Sequence, residues 1–330
     1  MDEWLRLRGD AGTLILPGSG LEAEPETLDW LQQYGAVAAN TAATVKQMKD
    51  PARFFPLLDR LGIRHPPLSP GTAGGHDNWL CKPIGGEGGA GIRRWPVDQT
   101  HGAGCYLQRY DSGRSVSVVF ITDGQRARLV GFNHCITAGE LNGDDTDFRF
   151  AEMIRLQPPP ALEAETAAIV SALVRASGLR GLCGMDMLWD GDGISVLELN
   201  PRPPASFELH EDNGSLVAAH LAACAGTIPQ RAIAAGRTDN DCTGKRIVYC
   251  PQPVRIPDGF SWPDWSRDRP APGIRLEAGA PLCTILIRAA TAEACRVLLR
   301  QHHDELLNNI MNASQHNDFN NFKPGKEVTA

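Results

Sequence analysis

Three side chains with hard oxygen donors fall close together beyond the middle of the chain. Asp186 sits in the run Gly184-Met185-Asp186-Met187-Leu188. Glu198 and Asn200 sit in Val196-Leu197-Glu198-Leu199-Asn200-Pro201-Arg202. Residues two apart on a strand face one side, so Glu198 and Asn200 point together. A turn at Asp190-Gly191-Asp192-Gly193 brings Asp186 toward the same end, with Arg202 adjacent. Magnesium takes oxygen ligands of this kind and commonly shares them with substrate phosphates. The plainer alternative is a structural Asp-Asn-Arg turn with surface carboxylates. Against it, a carboxylate buried between Leu197 and Leu199 needs a cation or hydrogen-bond partners.

A second cluster is made of glycines. Gly85, Gly86, Gly88, Gly89 and Gly91 occupy five of seven positions, and Lys82 precedes them. Such a loop frees backbone N–H groups to wrap an anion, with the lysine as a point charge for phosphate oxygens. A flexible surface hairpin explains the glycines equally simply. The same stretch contains G-x-G-x-x-G, but a dinucleotide site requires a helix directly after it. Here Ile92-Arg93-Arg94-Trp95-Pro96-Val97 follows, which reads as a strand with a proline.

The elements that would carry these groups are legible in outline. Residues 12–16 read as a short buried strand, followed by a helix around Leu28, Trp30 and Leu31. A second helix runs from Asp50-Pro51 to Leu61, with Asp50 as N-cap, Pro51 at N1 and Gly62 as its stop. Pro66 to Gly75 reads as a linker. Strands are expected at 78–83, 91–95 and 104–110. A hairpin over 115–122 and 127–135 turns at Asp123-Gly124. A helix over 162–177 ends at Gly178, and paired strands follow at 181–189 and 194–200. Further on come a helix at 215–225, strands at 246–250 and 282–288, and a helix at 291–302. Residues 308–330 read as a polar, mobile tail. Antiparallel hairpins dominate the middle, which favours an α+β fold over a doubly wound sheet.

Composition narrows the function classes. With 330 residues, 42% hydrophobic and 22% charged, the chain can bury a sizeable core. The net charge of −7 and the lack of a Lys/Arg block argue against nucleic acid as a partner. No apolar run reaches a membrane span, and Met1-Asp2-Glu3-Trp4 does not open a signal peptide, so no membrane association is expected. Nine cysteines without C-x-x-C spacing read as reduced, buried thiols of a cytoplasmic protein.

Taken in order, these segments resemble the ATP-grasp superfamily. The order is Lys82-Pro83 with the glycine loop, Leu107-Gln108-Arg109-Tyr110 with Gly113 and Ser117-Val118, Gly184-x-Asp186, then Leu197-Glu198-Leu199-Asn200-Pro201-Arg202-Pro203. The resemblance runs from about Pro51 to Gly226. Asp268-Arg269-Pro270 and Pro281-Leu282-Cys283-Thr284 extend it toward biotin carboxylase-related members. Gly18-Ser19-Gly20-Leu21-Glu22 and Trp79-Leu80-Cys81-Lys82-Pro83 are similar to a group of ATP-dependent carboligases. Relatives of that group include the tyramine–glutamate ligase of methanofuran synthesis.

The resemblance implies two α+β subdomains gripping ATP, after an N-terminal α/β remnant. Residues 1–66 would be the remnant, 67–106 the lid subdomain, 107–305 the core with a C-terminal extension, and 306–330 a flexible tail. Lys82 would contact ATP phosphates and Gly85 to Gly91 would close over them. The backbone of Gln108, Arg109 and Tyr110 would meet adenine. Asp186, Glu198 and Asn200 would hold Mg2+, and Arg202 would stabilise the transferring phosphoryl group. The implied reaction joins a small carboxylate to an amine through an acyl phosphate, with a glutamate-type or other amino-acid substrate in one-carbon cofactor (methanofuran or tetrahydromethanopterin) synthesis as its context. An ATP-dependent kinase and a non-catalytic nucleotide-binding subunit remain as alternatives, with homo- or hetero-oligomers open. Departures from the family pattern are Gln108 in place of glutamate, Ser115 in place of an acidic ribose contact, and Asp50-Pro51 in place of an Asp-Lys pair. The last leaves Lys46 and Lys49 as substitutes. His210, with Glu208 and Glu211 nearby, is a further candidate for touching the second substrate, although a surface helix start is the plainer reading.

Overall fold

The computed structural model describes residues 13–69, 78–95, 104–211, 215–229 and 242–321, with side chains as far as 314. Parallel strands β1 (Leu14–Ile15) and β2 (Ala36–Val37) bracket helix α1 (Glu26–Leu31). Helix α2 (Ala42–Lys49) starts at Thr41, whose hydroxyl accepts the Thr44 amide. It is absent from the sequence reading, although Ala42, Val45 and Met48 recur at helical spacing and are buried. Helix α3 (Pro51–Leu61) follows at once. The Asp50 carboxylate accepts the Ala52 amide at 2.9 Å, and Gly62 ends the helix in the left-handed region, as expected. Of the expected linker, Pro70, Gly71, Gly74 and Gly75 lie outside the described residues.

Strands β3 (Trp79–Pro83), β4 (Arg93–Trp95) and β5 (Cys105–Arg109) form a small antiparallel sheet in the order β4-β3-β5. The glycine loop joins β3 to β4. The hairpin β6 (Arg114–Asp123) and β7 (Ala127–Thr137) comes next, then the short helix α4 (Ala138–Asn142) and strand β8 (Phe150–Leu156). Helix α5 (Pro160–Ser177) stops at Gly178, and β9 (Arg180–Trp189) and β10 (Ile194–Asn200) pair antiparallel. A 3-10 turn (Ala205–Leu209) and helix α6 (Ser215–Cys224) follow. The chain then forms β11 (Cys242–Tyr249), β12 (Val254–Arg255), β13 (Ser266–Arg267), β14 (Arg275–Leu276), β15 (Pro281–Ala289) and α7 (Ala292–Asn321). Helix α7 carries on well past the expected end at 302. The segment read as a mobile tail from 306 is helical to Asn321.

Two units divide the chain. The first holds residues 1–150 and 155–239, the second 151–154 and 240–330. In the first, an antiparallel sheet runs β10-β9-β6-β7. Both its faces are buried. Val116, Val118 and Phe120 of β6 join Phe54, Leu58, Leu173, Met185 and Met187 on one side. Val119 and Ile121 join Leu182, Leu216 and Ala219 on the other. This strict alternation, with helices on both faces, makes the sheet a rigid platform. In the second unit, strands run β8-β11-β15-β13, and Ile154, Val248, Ile285 and Ile287 pack with Cys295, Leu299, Leu306 and Ile310 of α7. No helix among the described residues is long and apolar enough to cross a membrane.

Candidate active site

The convergence of Asp186, Glu198 and Asn200 depends on one extra residue in β10. Val196 lies opposite Met187, but Glu198 lies opposite Asp186, so the register shifts between them. An unbroken ladder would set Leu197 against Asp186 and turn Glu198 to the packed face of Met185. The bulge at Leu197 reverses this, and both Val196 and Leu199 enter the core on the side of Met185 and Met187. Glu198 and Asn200 are thereby brought to the face of Asp186, where Ser117 of β6 also stands opposite Asp186. The Asn200 amide donates 3.2 Å bonds to Asp186 Oδ2 and Glu198 Oε1.

Two lysines balance the two carboxylates. Lys49, the last residue of α2, donates to Asn200 Oδ1 at 3.0 Å and stands 3.7 Å from Glu198 Oε2. Lys82 on β3 donates to Gln108 Oε1 at 3.0 Å. Burial pushes the Asp186 carboxyl upward, and the neighbouring Glu198 charge adds to this. Burial acts on Glu198 in the same sense, but Lys49 and Lys82 outweigh it and hold its carboxyl below the usual range. Lys82 is lowered by burial, against the pull of Glu198 and Asp186. Of the two carboxylates, Glu198 is the one held charged, beside Lys49 and Lys82.

Arg202 follows on the Asn200-Pro201 turn, and Asn40 fixes that turn. The Asn40 amide donates to Pro201 O at 2.8 Å and Arg180 O at 3.0 Å, while its Oδ1 accepts the Arg180 amide. The Arg202 guanidinium pairs through Nε with Glu22 and stands 3.8 Å from Glu87 Oε1. The Gly20 amide donates to both carboxylates, at 3.1 Å to Glu22 and 2.9 Å to Glu87. Glu87 therefore ties the glycine loop to Gly20 and Arg202. Within that loop Gly85, Gly88, Gly89 and Gly91 have φ between 58° and 76°, where glycine is favoured. Gly88 O accepts the Phe150 amide at 2.8 Å.

A cavity of about 510 Å³ adjoins these groups, of a size usual for small-ligand sites. Lys82, Gln108, Tyr110, Ser115, Phe148 and Leu188 are among its walls. The amides of Arg109 and Tyr110 already donate to Pro67 O and Asn78 O, so those two N–H groups are spent within the chain. Arg94 covers the Tyr110 ring at 4.6 Å and pairs with Asp145.

His210 takes a different place. It is buried, its Nε2 meets Asn133 Oδ1 at 2.9 Å, and its ring packs against Gly131. Burial pulls it down to about 3. It is a packed, neutral histidine rather than a surface helix start. Lys46 pairs with Glu26 on the surface and stays apart from the cluster. Sequence reasoning gave no role to Glu22, Glu87 or Asn40. Glu22 belongs to the quoted Gly18-to-Glu22 motif, but only the fold reveals its partner.

Among the described residues, no three His, Cys, Asp or Glu side chains group as a complete metal cage. Two carboxylates and an amide oxygen form a partial oxygen set, which fits magnesium completed by phosphate oxygens and water.

Residues 39–206 match the ATP-grasp domain family. No curated protein matches. Among solved structures the chain is similar to the biotin carboxylase of Campylobacter jejuni, with a TM-score of 0.65 and 14% identity over 86% of this chain and 72% of that one. It is similar to the biotin carboxylase domain of the Hydrogenobacter thermophilus 2-oxoglutarate carboxylase, solved with MgADP and bicarbonate. There the TM-score is 0.63, with 16% identity over 87% of this chain and 73% of that one. It is also similar to the L-amino acid ligase of Bacillus licheniformis, with a TM-score of 0.62 and 13% identity over 86% and 77%.

Proposed function

Because the chain belongs to the ATP-grasp family, we propose that it is an MgATP-dependent carboxylate–amine ligase. A substrate carboxylate oxygen attacks the terminal phosphorus of ATP, forming an acyl phosphate and releasing ADP. The amine nitrogen then attacks the acyl carbon, the C–O bond to phosphate breaks, and amide and inorganic phosphate leave. Phosphoryl transfer asks the protein for positioning and charge neutralisation more than for covalent help. The carrying observation is the bulge at Leu197, which turns Glu198 and Asn200 to the face of Asp186.

In this reading Asp186, Glu198 and Asn200 hold magnesium, which when bound neutralises phosphate charge. Lys82 and the loop Gly85 to Gly91 bind phosphate, and Arg202 stabilises the transferring group. Gln108, Arg109 and Tyr110 border the adenine. With the amides of Arg109 and Tyr110 spent, carbonyl groups there accept the adenine amine. Residues 67–106 act as the lid and 107–305 as the core. One of the two substrates is an amino acid of the glutamate type, and the product belongs to one-carbon cofactor synthesis. The similarity to an L-amino acid ligase and the Gly18-to-Glu22 and Leu197-to-Arg202 motifs support this finer reading. A screen of paired acids and amines, read as ADP release, tests it. ADP release requiring both partners is expected. Release with an acid alone and a stable phosphorylated product would identify a kinase instead, and nucleotide binding without turnover would favour a non-catalytic nucleotide-binding subunit.

A further inference from the structure

The small sheet β4-β3-β5 turns one face to the cavity. Leu80 stands opposite both Arg94 and Gln108, and Leu80 and Gln108 are cavity walls, so Arg94 shares their face. The other face carries Trp79, Cys81, Trp95 and Leu107, which pack together. A guanidinium on the cavity face needs partners, and Arg94 finds them on separate segments. It covers the Tyr110 ring at 4.6 Å and lies 5.9 Å from the Phe148 ring. Its Nη2 donates to Asp145 Oδ2 at 3.0 Å, and its Nη1 to Asn78 Oδ1 at 3.2 Å. Tyr110, Asp145 and Phe148 all line the cavity. Tyr110 follows β5, whereas Asp145 and Phe148 lie in the segment before β8. That segment also docks the glycine loop, through the Phe150 amide on Gly88 O. The two kinds of contact are unequal. Asp145 is 80% exposed, so its ion pair competes with water and contributes little. Arg94 is 28% exposed, and its Nε is buried without a hydrogen bond among the described residues. An unpaired N–H costs free energy, which the contacts with the rings offset. The stack on Tyr110, with Phe148 edge-on to that ring at 6.3 Å, is what holds the side chain.

We propose that Arg94 is a positioning residue. By stacking on Tyr110 beside Phe148 it fastens the small sheet to the segment before β8, and so sets how fast a nucleotide leaves the cavity. It acts through the two rings rather than on the reacting atoms. The inference rests on the MgATP reading above, in which Tyr110 borders the adenine. Arg93, its neighbour in β4, belongs to the other face, where it covers Trp95 at 4.7 Å. It has no part in the fastening and serves as the control.

The test compares wild type, Arg94→Ala, Arg94→Lys, Asp145→Asn and Arg93→Ala in two measurements. The first is the release of ADP labelled with an N-methylanthraniloyl group, followed by stopped-flow fluorescence. The second is hydrogen exchange of the Phe150 amide without nucleotide. Arg94→Ala is expected to release the labelled ADP about tenfold faster, with its association rate unchanged. Its Phe150 amide should exchange faster, and added methylguanidinium should slow the release again. Arg94→Lys keeps the charge but not the planar stack, so it should release nearly as fast as Arg94→Ala. Asp145→Asn and Arg93→Ala should stay close to wild type. Melting curves report folding, and Arg94→Gln replaces Arg94→Ala if the latter does not fold. Wild-type release or wild-type exchange in the folded Arg94 variant overturns the inference. So does Asp145→Asn releasing as fast as Arg94→Ala, because the ion pair and not the stack would then be the fastening. A wild type that binds no labelled ADP overturns the MgATP reading itself, and exchange of the Phe150 amide then decides the fastening alone.

Discussion

Glu198 is the residue on which the cluster's charges converge. It bonds the Asn200 amide, stands 3.7 Å from Lys49, and feels both lysines. Its side chain also keeps 39% of its surface open, so it is the carboxylate that an incoming cation can reach. Replacing it with alanine leaves two ammonium groups facing one carboxylate and, on the proposed reading, removes an oxygen donor to magnesium. Glu198→Ala should lower ATP turnover at least about a hundredfold while the fold persists. ADP release with melting curves checks this, and wild-type turnover in a folded variant would falsify the assignment. At this scale much was legible in advance. Carboxylates inside apolar runs announce themselves, because an apolar strand does not carry them without a partner. What the sequence hides is pairing. Nothing in Val196-Leu197-Glu198 marks Leu197 as an extra residue, since a bulge is defined by the opposite strand. From the sequence Lys49 is only one of two candidate lysines, and its distance from Glu198 along the chain hides their pairing.

Elements set the loop and the buried polar layer. A β-carbon on Gly89 would lie 2.0 Å from Phe148 O, whereas one on Gly88 would meet nothing within 4 Å. Both residues have positive φ, so alanine costs each about 1–2 kcal/mol of backbone strain. Only Gly89→Ala adds a backbone clash that forces the loop off its dock. Its KM for ATP should therefore rise several-fold more than that of Gly88→Ala, a comparison that steady-state kinetics makes directly. The glycine density shows a loop, but the difference between neighbouring glycines is set by Phe148 and Arg149, in the segment just before β8. The strands and helices named from periodicity mostly appear within a few residues of their expected limits. Helix α2 is hard to read from the sequence although Thr41 caps it, because its apolar face is narrow and interspersed with Thr44 and Gln47.

The 3-10 turn delivers His210 into a different chemistry, that of pH. Burial lowers His210 from the ordinary 6.5 to about 3, so the folded protein keeps it neutral while the unfolded chain protonates it below 6.5. The unfolded state then binds more protons, and stability falls as pH drops. The same sign holds for His220, lowered by burial, whose Nδ1 accepts the Leu182 amide and whose Nε2 meets Ala38 O. His210 alone should cost about 2 kcal/mol of stability between pH 7 and pH 5. Urea unfolding at the two pH values measures this, and a His210→Gln variant should show a shallower loss.

At the scale of the whole molecule, each unit carries its own core, and the second one closes late in the chain. Leu306 and Ile310 are fully buried among Ile154, Val248, Ile285 and Leu299. From the sequence, the asparagines and histidines after 302 read as solvent-facing and hide the apolar pair, because only one face of α7 is buried. A truncation after residue 305 removes both side chains at once. Each such loss costs about 2–5 kcal/mol when the residue is cut to alanine, and removal of the whole turn costs no less. The combined loss rivals the entire stability of an ordinary domain, about 5–15 kcal/mol. The chain ending at 305 should therefore lose the cooperative unfolding of its second unit, while one ending at 321 keeps it. Hydrogen exchange over β11 and β15 separates the two outcomes. Protected amides there in the shorter chain would show that the helix beyond 305 adds nothing to the second core.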